Sequence, residues 1–198
     1  MTRPAILIPA AGGSSRMRGG DKLMELVEGE PMIRRQARIA AETGCPVFVT
    51  LAPDRPLREA ALAGLDLLKV AVPDATTGMS ASLRRGVATA SALPDCPGVM
   101  ILPADMPEFT TDILSAMSEA FLAQPDRILR GASGDQPGHP AIFPADLWPE
   151  LLQISGDQGG ISVIRAHPER VVLIALPDRV AITDLDTPED WAAWRSRT

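Results

Sequence analysis

A loop with the chemistry of a phosphate cradle lies close to the N-terminus. Gly12, Gly13, Ser14, Ser15, Arg16, Gly19, Gly20 and Lys22 follow directly on the apolar run Ala5 to Ile8. Phosphate binding needs backbone N–H groups that can be approached closely, which glycine permits, together with cations. Hydroxyls help, and the loop supplies all three. It is not a Walker A loop, which needs Gly-Lys-Ser/Thr, and it lacks the G-x-G-x-x-G dinucleotide spacing. A flexible strand-to-helix turn is the plain alternative; Arg16 and Lys22 among small residues favour phosphate. Only two of the 19 basic residues, Lys22 and Lys69, are lysines. A compact ammonium on a flexible stem does something in such a loop that a planar guanidinium does not.

A second segment is Pro103-Ala104-Asp105-Met106-Pro107. An aspartate just past an apolar strand can hold Mg²⁺, which takes one or two carboxylates and completes its shell with phosphate oxygens and water. Aspartate is also common in turns, so a partner carboxylate is required. Asp184 and Asp186 in Thr-Asp-Leu-Asp-Thr-Pro-Glu-Asp are the candidates, whereas Asp190 reads as a helix cap. The segment Gly78-Met79-Ser80-Ala81-Ser82-Leu83 opens a helix with hydroxyls and free N–H groups. That is a place for an anion or a polar base edge, or for simple capping by Ser80. His139, in Gly138-His139-Pro140, is a candidate to touch an acceptor, and His167 reads as a surface residue. Two histidines so far apart make no triad or zinc site by spacing. Trp148, Trp191 and Trp194 read as packing residues.

These groups need a frame. Apolar strand-like runs at Ala5 to Ile8, Val47 to Leu51, Leu67 to Val72, Val99 to Leu102, Arg127 to Arg130, Ala141 to Phe143 and Val171 to Leu176 alternate with helical patterns. The helices are expected at Met32 to Glu42, Leu57 to Ala63, Ser80 to Ala92, Ile113 to Leu122, Leu147 to Gln153, Gly160 to Ala166 and Pro188 to Trp194. Thr187 is the expected cap of the last helix, with Pro188 at its first position. Gly131 to Pro140 reads as an irregular loop. Alternating elements with non-alternating strands predict an α/β fold, a mostly parallel sheet covered by helices on both faces. Ligands of such sheets sit beyond the C-terminal strand ends, so the segments after Ile8, Val72, Leu102 and Phe143 should converge on one crevice.

The chain of 198 residues carries 19 basic and 25 acidic side chains, a net charge of −6. That balance argues against a nonspecific nucleic-acid partner, which needs clustered positive charge. No stretch approaches the ~20 apolar residues of a membrane span, and the N-terminus does not read as a signal peptide. Cys45 and Cys96 have no metal-like spacing and read as thiols of a reducing compartment. A cytoplasmic protein with neither membrane nor nucleic-acid partners is expected.

Taken in order, the glycine loop with Arg16 and Lys22, G-M-S-x-S-L, P-A-D-M-P, G-H-P-x-x-F, G-D-x-G and D-x-D-T-P-E-D resemble the MobA-like nucleoside-triphosphate transferases. The resemblance is to the molybdenum cofactor cytidylyltransferase branch and runs from Ile6 to about Trp191. It implies one nucleotidyltransferase domain, 1–198, of glycosyltransferase-A-like, Rossmann-like fold. It implies attack by an acceptor phosphate on the α-phosphorus of a nucleoside triphosphate, with pyrophosphate leaving. By that resemblance Ala10, Ala11, Gly12, Gly13 and Ser14 hold base and phosphates, and Arg16 and Lys22 neutralise the triphosphate. Ser80 and Ser82 line the nucleotide pocket. Asp105 holds Mg²⁺ with Asp186 as second carboxylate, and Gly138, His139 and Asp157 face the acceptor. Ala10-Ala11-Gly12 is similar to the cytidylyl version of the loop and points to CTP. Two other readings stay open: a sugar phosphate or other small phosphate as acceptor, for which only Asp135 and Gln136 offer contacts, and a carrier that delivers a finished cofactor to a molybdoenzyme.

Overall fold

Strand β1 (Ala5–Pro9) sends Ile6 and Ile8 to one side and Ala5 and Leu7 to the other, and all four side chains are fully buried. A strand apolar on both faces needs cover on both. The computed structural model, which describes residues 2–157 and 159–197, supplies it. Parallel neighbours β4 (Val47–Leu51) and β6 (Gly98–Ile101) flank β1, with β5 (Leu68–Ala71) at one edge. Beyond β6 come β8 (Gln136–Pro144), β7 (Ile128–Ser133) and β9 (Val171–Ala175). The order is β5-β4-β1-β6-β8-β7-β9, and β8 alone runs antiparallel to its neighbours. A two-residue ladder, β2 (Leu26–Val27) with β3 (Glu30–Pro31), stands apart.

On the face that carries Ile6 and Ile8, α1 (Met32–Ala41) and α4 (Thr111–Leu122) bury Ile33, Ala37, Leu114, Met117 and Phe121. On the opposite face, α3 (Met79–Ser91), the short α5 (Trp148–Leu151) and α6 (Ile161–Ala166) place Leu83, Val87, Trp148 and Val163 over Leu7, Ile101 and Phe143. Helix α2 (Pro56–Ala61) packs beside α1. The last helix, α7 (Pro188–Arg195), begins with a capping box. Thr187 Oγ1 accepts from the Asp190 N–H, and the Asp190 carboxylate accepts from the Thr187 N–H. No helix among the described residues is long and apolar enough to cross a membrane.

Two expectations are corrected. Gly131 to Pro140 is not an irregular loop: β7 and β8 continue into a hairpin closed by Gly134 and Asp135, with Ser133 paired to Gln136. Gly134 has φ +58, as a two-residue turn with glycine first requires. The segment after Phe143 does not reach the crevice either. Because β8 is antiparallel, Pro144 sits opposite Gly98 at the start of β6, and the Ala145 N–H donates to Pro97 O. The start of β8, with Gly138 and His139, takes its place at the crevice.

Candidate active site

The glycine loop leaves the core in two steps. Ala10 is still part of it, donating its N–H to Thr50 O at 3.0 Å, and Ala11 packs in a small cluster with Ala52, Val72 and Ala81. Gly12 and Gly13 are exposed, and a methyl built on Gly12 would meet nothing within 4 Å. Their backbone is therefore open to a ligand. Ser14 and Arg18 take left-handed conformations on either side of the 3-10 turn Ser15–Met17. Met17 returns to the interior against Met32, Leu185 and Trp191, fixing the far side of the loop.

Arg58 of α2 holds the loop shut at its base. Its side chain is fully buried and makes five hydrogen bonds. Nη1 donates to the carbonyls of Ala10 and Gly12, both at 2.7 Å, and Nη2 donates to Ser14 Oγ at 3.0 Å. Nε and Nη2 donate to the two carboxylate oxygens of Asp21. Burial raises the Asp21 carboxyl, but Arg58 outweighs it and holds that group below its ordinary range.

Past the loop, Lys22 turns inward to the end of β6. Its Nζ donates to Asp105 Oδ2 and to Asp186 Oδ1, each at 2.5 Å. Arg16 donates to Asp186 Oδ2 from the exposed side. Burial works against the Lys22 charge, yet the two carboxylates prevail and raise its pKa above the ordinary value. The turn that carries Asp105 is fixed from both sides. The Leu185 N–H donates to Asp105 O at 3.0 Å, and the buried Gln36 amide of α1 donates to Met106 O. Asp186 is held in turn by its N–H to the Asp190 carboxylate.

Two carboxylates converge here, and among the described residues no third His, Cys, Asp or Glu completes a metal cage. That donor set fits Mg²⁺, a hard cation content with one or two carboxylates plus substrate oxygens and water. It does not fit a closed structural zinc site. Asp184 is exposed and lies outside the cluster.

On the opposite rim, Gly78 starts α3 with φ +110, and a Cβ there would press on Asp157 and Gly156. The Asp157 carboxylate accepts from the Met79 N–H at 3.2 Å. The Ser80 hydroxyl, fully buried, donates to Gly156 O at 2.5 Å instead of capping the helix. Ser82 is buried beside it. At the head of β8 a Cβ on Gly138 would collide with the carbonyl of Ala181. His139 is half-buried, and its Nδ1 is buried with no hydrogen-bond partner. Burial and then the charge of Arg130 depress its pKa, against the smaller pull of Asp105 and Asp184.

Arg16, Lys22, Asp105 and Asp186 thus form one cluster beside the open Gly12 and Gly13, with His139 within electrostatic reach. Asp157, Gly78 and Ser80 form a second group at the start of α3. Arg58 was missed by sequence reasoning. The available signal was a cation four residues before buried Leu62, on the inner side of a helix whose Leu57 is exposed.

A family model for the MobA-like NTP transferase domain matches residues 6–171. The chain belongs to that family. The probable molybdenum cofactor guanylyltransferase of Synechococcus elongatus is 31% identical over 92% of this chain and 94% of its own. The nicotine blue oxidoreductase of Paenarthrobacter nicotinovorans is 28% identical over 91% and 90%. Among solved structures, a Mycobacterium tuberculosis protein crystallised as a manganese complex superposes with TM-score 0.78 at 23% identity, over 100% of both chains. At that identity the last likeness concerns the fold. Within this MobA-like domain the matched span contains the loop, Lys22, Asp105, His139 and Asp157, while Asp186 lies beyond its end.

Proposed function

We propose that the chain, acting as one domain over residues 1–198 in the cytoplasm, transfers a nucleoside monophosphate from a nucleoside triphosphate to a phosphorylated acceptor of the molybdopterin type. The observation that carries this reading is the meeting of Lys22, Arg16, Asp105 and Asp186 beside the uncovered backbone of Gly12 and Gly13. The glycine N–H groups and the two cations bind the triphosphate. An acceptor phosphate oxygen bonds to the α-phosphorus as the bond from that phosphorus to the bridging oxygen breaks, and pyrophosphate departs. A phosphate monoester is largely dianionic at neutral pH, so the site needs no general base. His139, whose basicity burial and Arg130 lower, fits a role in orienting the acceptor, with Gly138 and Asp157, better than one in removing a proton. Catalysis then rests on positioning and charge stabilisation, as phosphoryl-type transfers generally do. Asp105 and Asp186 would hold Mg²⁺, which when bound supplies neutralisation of the triphosphate charge. The name of a relative supports nucleotidyl transfer, and the manganese complex of the structural neighbour supports use of a divalent cation. Ser80, whose hydroxyl fixes the Gly156 carbonyl, and the buried Ser82 would border the nucleotide side.

CTP is the donor to which Ala10-Ala11-Gly12 points. GTP is a second reading with its own support: a relative is named a guanylyltransferase, and the Ala11 methyl is packed against Ala52, Val72 and Ala81, away from the open face of the loop. The test is pyrophosphate release with Mg²⁺ and molybdopterin-type acceptor, comparing CTP, GTP, ATP and UTP. Release with one base identifies the donor. Release with none, from folded protein, removes the transferase reading for this acceptor and brings forward other small phosphates and then delivery of a finished cofactor to a molybdoenzyme.

A further inference from the structure

We infer that Lys22 is an exchangeable occupant of the cation site: its ammonium and a divalent cation compete for the space between Asp105 and Asp186, so the site accepts the cation together with a triphosphate and excludes the free ion. The inference rests on the proposed role of these two aspartates as the cation pair.

Lys22 Nζ takes one oxygen from each carboxylate, at 2.5 Å on both sides. The three side chains are only 19%, 18% and 24% exposed, so water screens the cluster weakly. A cation bridging the pair needs the oxygens that Lys22 now holds. A buried ammonium cannot be pushed out into the same confined space without a new anionic partner, because an uncompensated buried charge is strongly unfavourable. The loop offers a place for that partner. Gly12 and Gly13 lie open one strand end away, and a triphosphate bound there would present oxygens to a flexible four-carbon stem. Arg16 differs in kind. Among the described residues it donates to Asp186 Oδ2, from an exposed position, and makes no ion pair with Asp105. Transfer of Lys22 from aspartates to phosphate therefore opens the cation site at the moment when the cation is useful. By reciprocity, cation and triphosphate each strengthen the binding of the other through this residue, in addition to any direct contact between them.

The test is Mn²⁺ binding to the full chain without nucleotide or acceptor, read by electron paramagnetic resonance of the free ion. Lys22→Met is expected to bind Mn²⁺ at least about tenfold more tightly than wild type, a typical size for such coupling. Arg16→Met removes the same charge next to Asp186 and should change affinity by less than about threefold if occupancy, not net charge, decides. Lys22→Arg, which still fills the space, should behave as wild type and guards against a folding artefact in the methionine variant. Equal tightening in Lys22→Met and Arg16→Met, or wild-type binding already as tight as that of Lys22→Met, would overturn the inference. Absence of Mn²⁺ binding in every variant would overturn it along with the cation pair. The transferase reading would still stand or fall separately, on pyrophosphate release.

Discussion

The guanidinium of Arg58 spans the carboxylate of Asp21, with Nε donating to Oδ2 at 2.8 Å and Nη2 to Oδ1 at 2.7 Å. Through this pair the entry and exit of the glycine loop are tied to one buried cation, which also caps the carbonyls of Ala10 and Gly12. The exposed amides of the loop are thus preorganised by a residue that is itself fully buried.

Arg58→Met should destabilise the fold by about 3 kcal/mol or more, the usual result of leaving one member of a buried ion pair alone. The effect should depend on pH. The Asp21 pKa is depressed in the folded state, so its contribution is complete above the unfolded value near 3.8 and is lost as pH falls through the folded value. Urea titrations of both proteins should show a constant gap from pH 8 to pH 5 that narrows below 3.8. A gap that is absent at pH 7 contradicts the clamp.

Glycines at the two ends of the site should respond oppositely to a methyl group. Gly138→Ala meets the Ala181 carbonyl and should lose about 1–3 kcal/mol of stability, as overpacked sites do. Gly12→Ala meets nothing and should melt like wild type while binding triphosphate more weakly. Matched thermal melts and triphosphate titrations separate the two, and a destabilised Gly12→Ala would show that the loop is more closely packed than described.

His139 should titrate below the ordinary histidine value of 6.5, since burial and Arg130 both disfavour its charge. The linked stability is full above 6.5, starts to fall as pH drops below that value, and is exhausted once the folded pKa is passed. With only two histidines in the chain, a His167→Asn variant leaves a single imidazole signal for NMR. A midpoint at or above 6.5 contradicts the burial argument.

Lys22→Ala should weaken triphosphate binding by ~1–3 kcal/mol, the range for a hydrogen bond to a charged group. Calorimetry in Mg²⁺ reads this directly, and an unchanged dissociation constant removes Lys22 from the nucleotide site.

Much of this was legible because the signals are local. The apolar runs of β1, β4 and β6 need burial on both faces, and Thr187-Pro188 with Asp190 spells a helix start, so sheet and caps follow from short windows of sequence. The same holds for the loop and for Asp105 at its strand end. Non-local features were hidden. Gly134-Asp135 is a two-residue hairpin turn, but the Gly and Pro around it mask the strands it joins. The antiparallel course of β8 depends on pairing with β6, which no window reports. Arg58 violates the rule that charge faces water, and only its five hydrogen bonds to four residues of a distant loop explain it. The pairing of Lys22 with both aspartates joins residues 83 and 164 positions apart.

Nucleotidyl transfer is the proposed work of Asp105 and its partners. The most direct test follows the α-phosphate: triphosphate labelled at that position is incubated with Mg²⁺ and molybdopterin-type acceptor, and label joined to the acceptor is counted for wild type and for Asp105→Ala. The expected result is label transferred by wild type and none above background by Asp105→Ala, with circular dichroism confirming that the variant is folded. Transfer by Asp105→Ala at the wild-type rate would contradict the account.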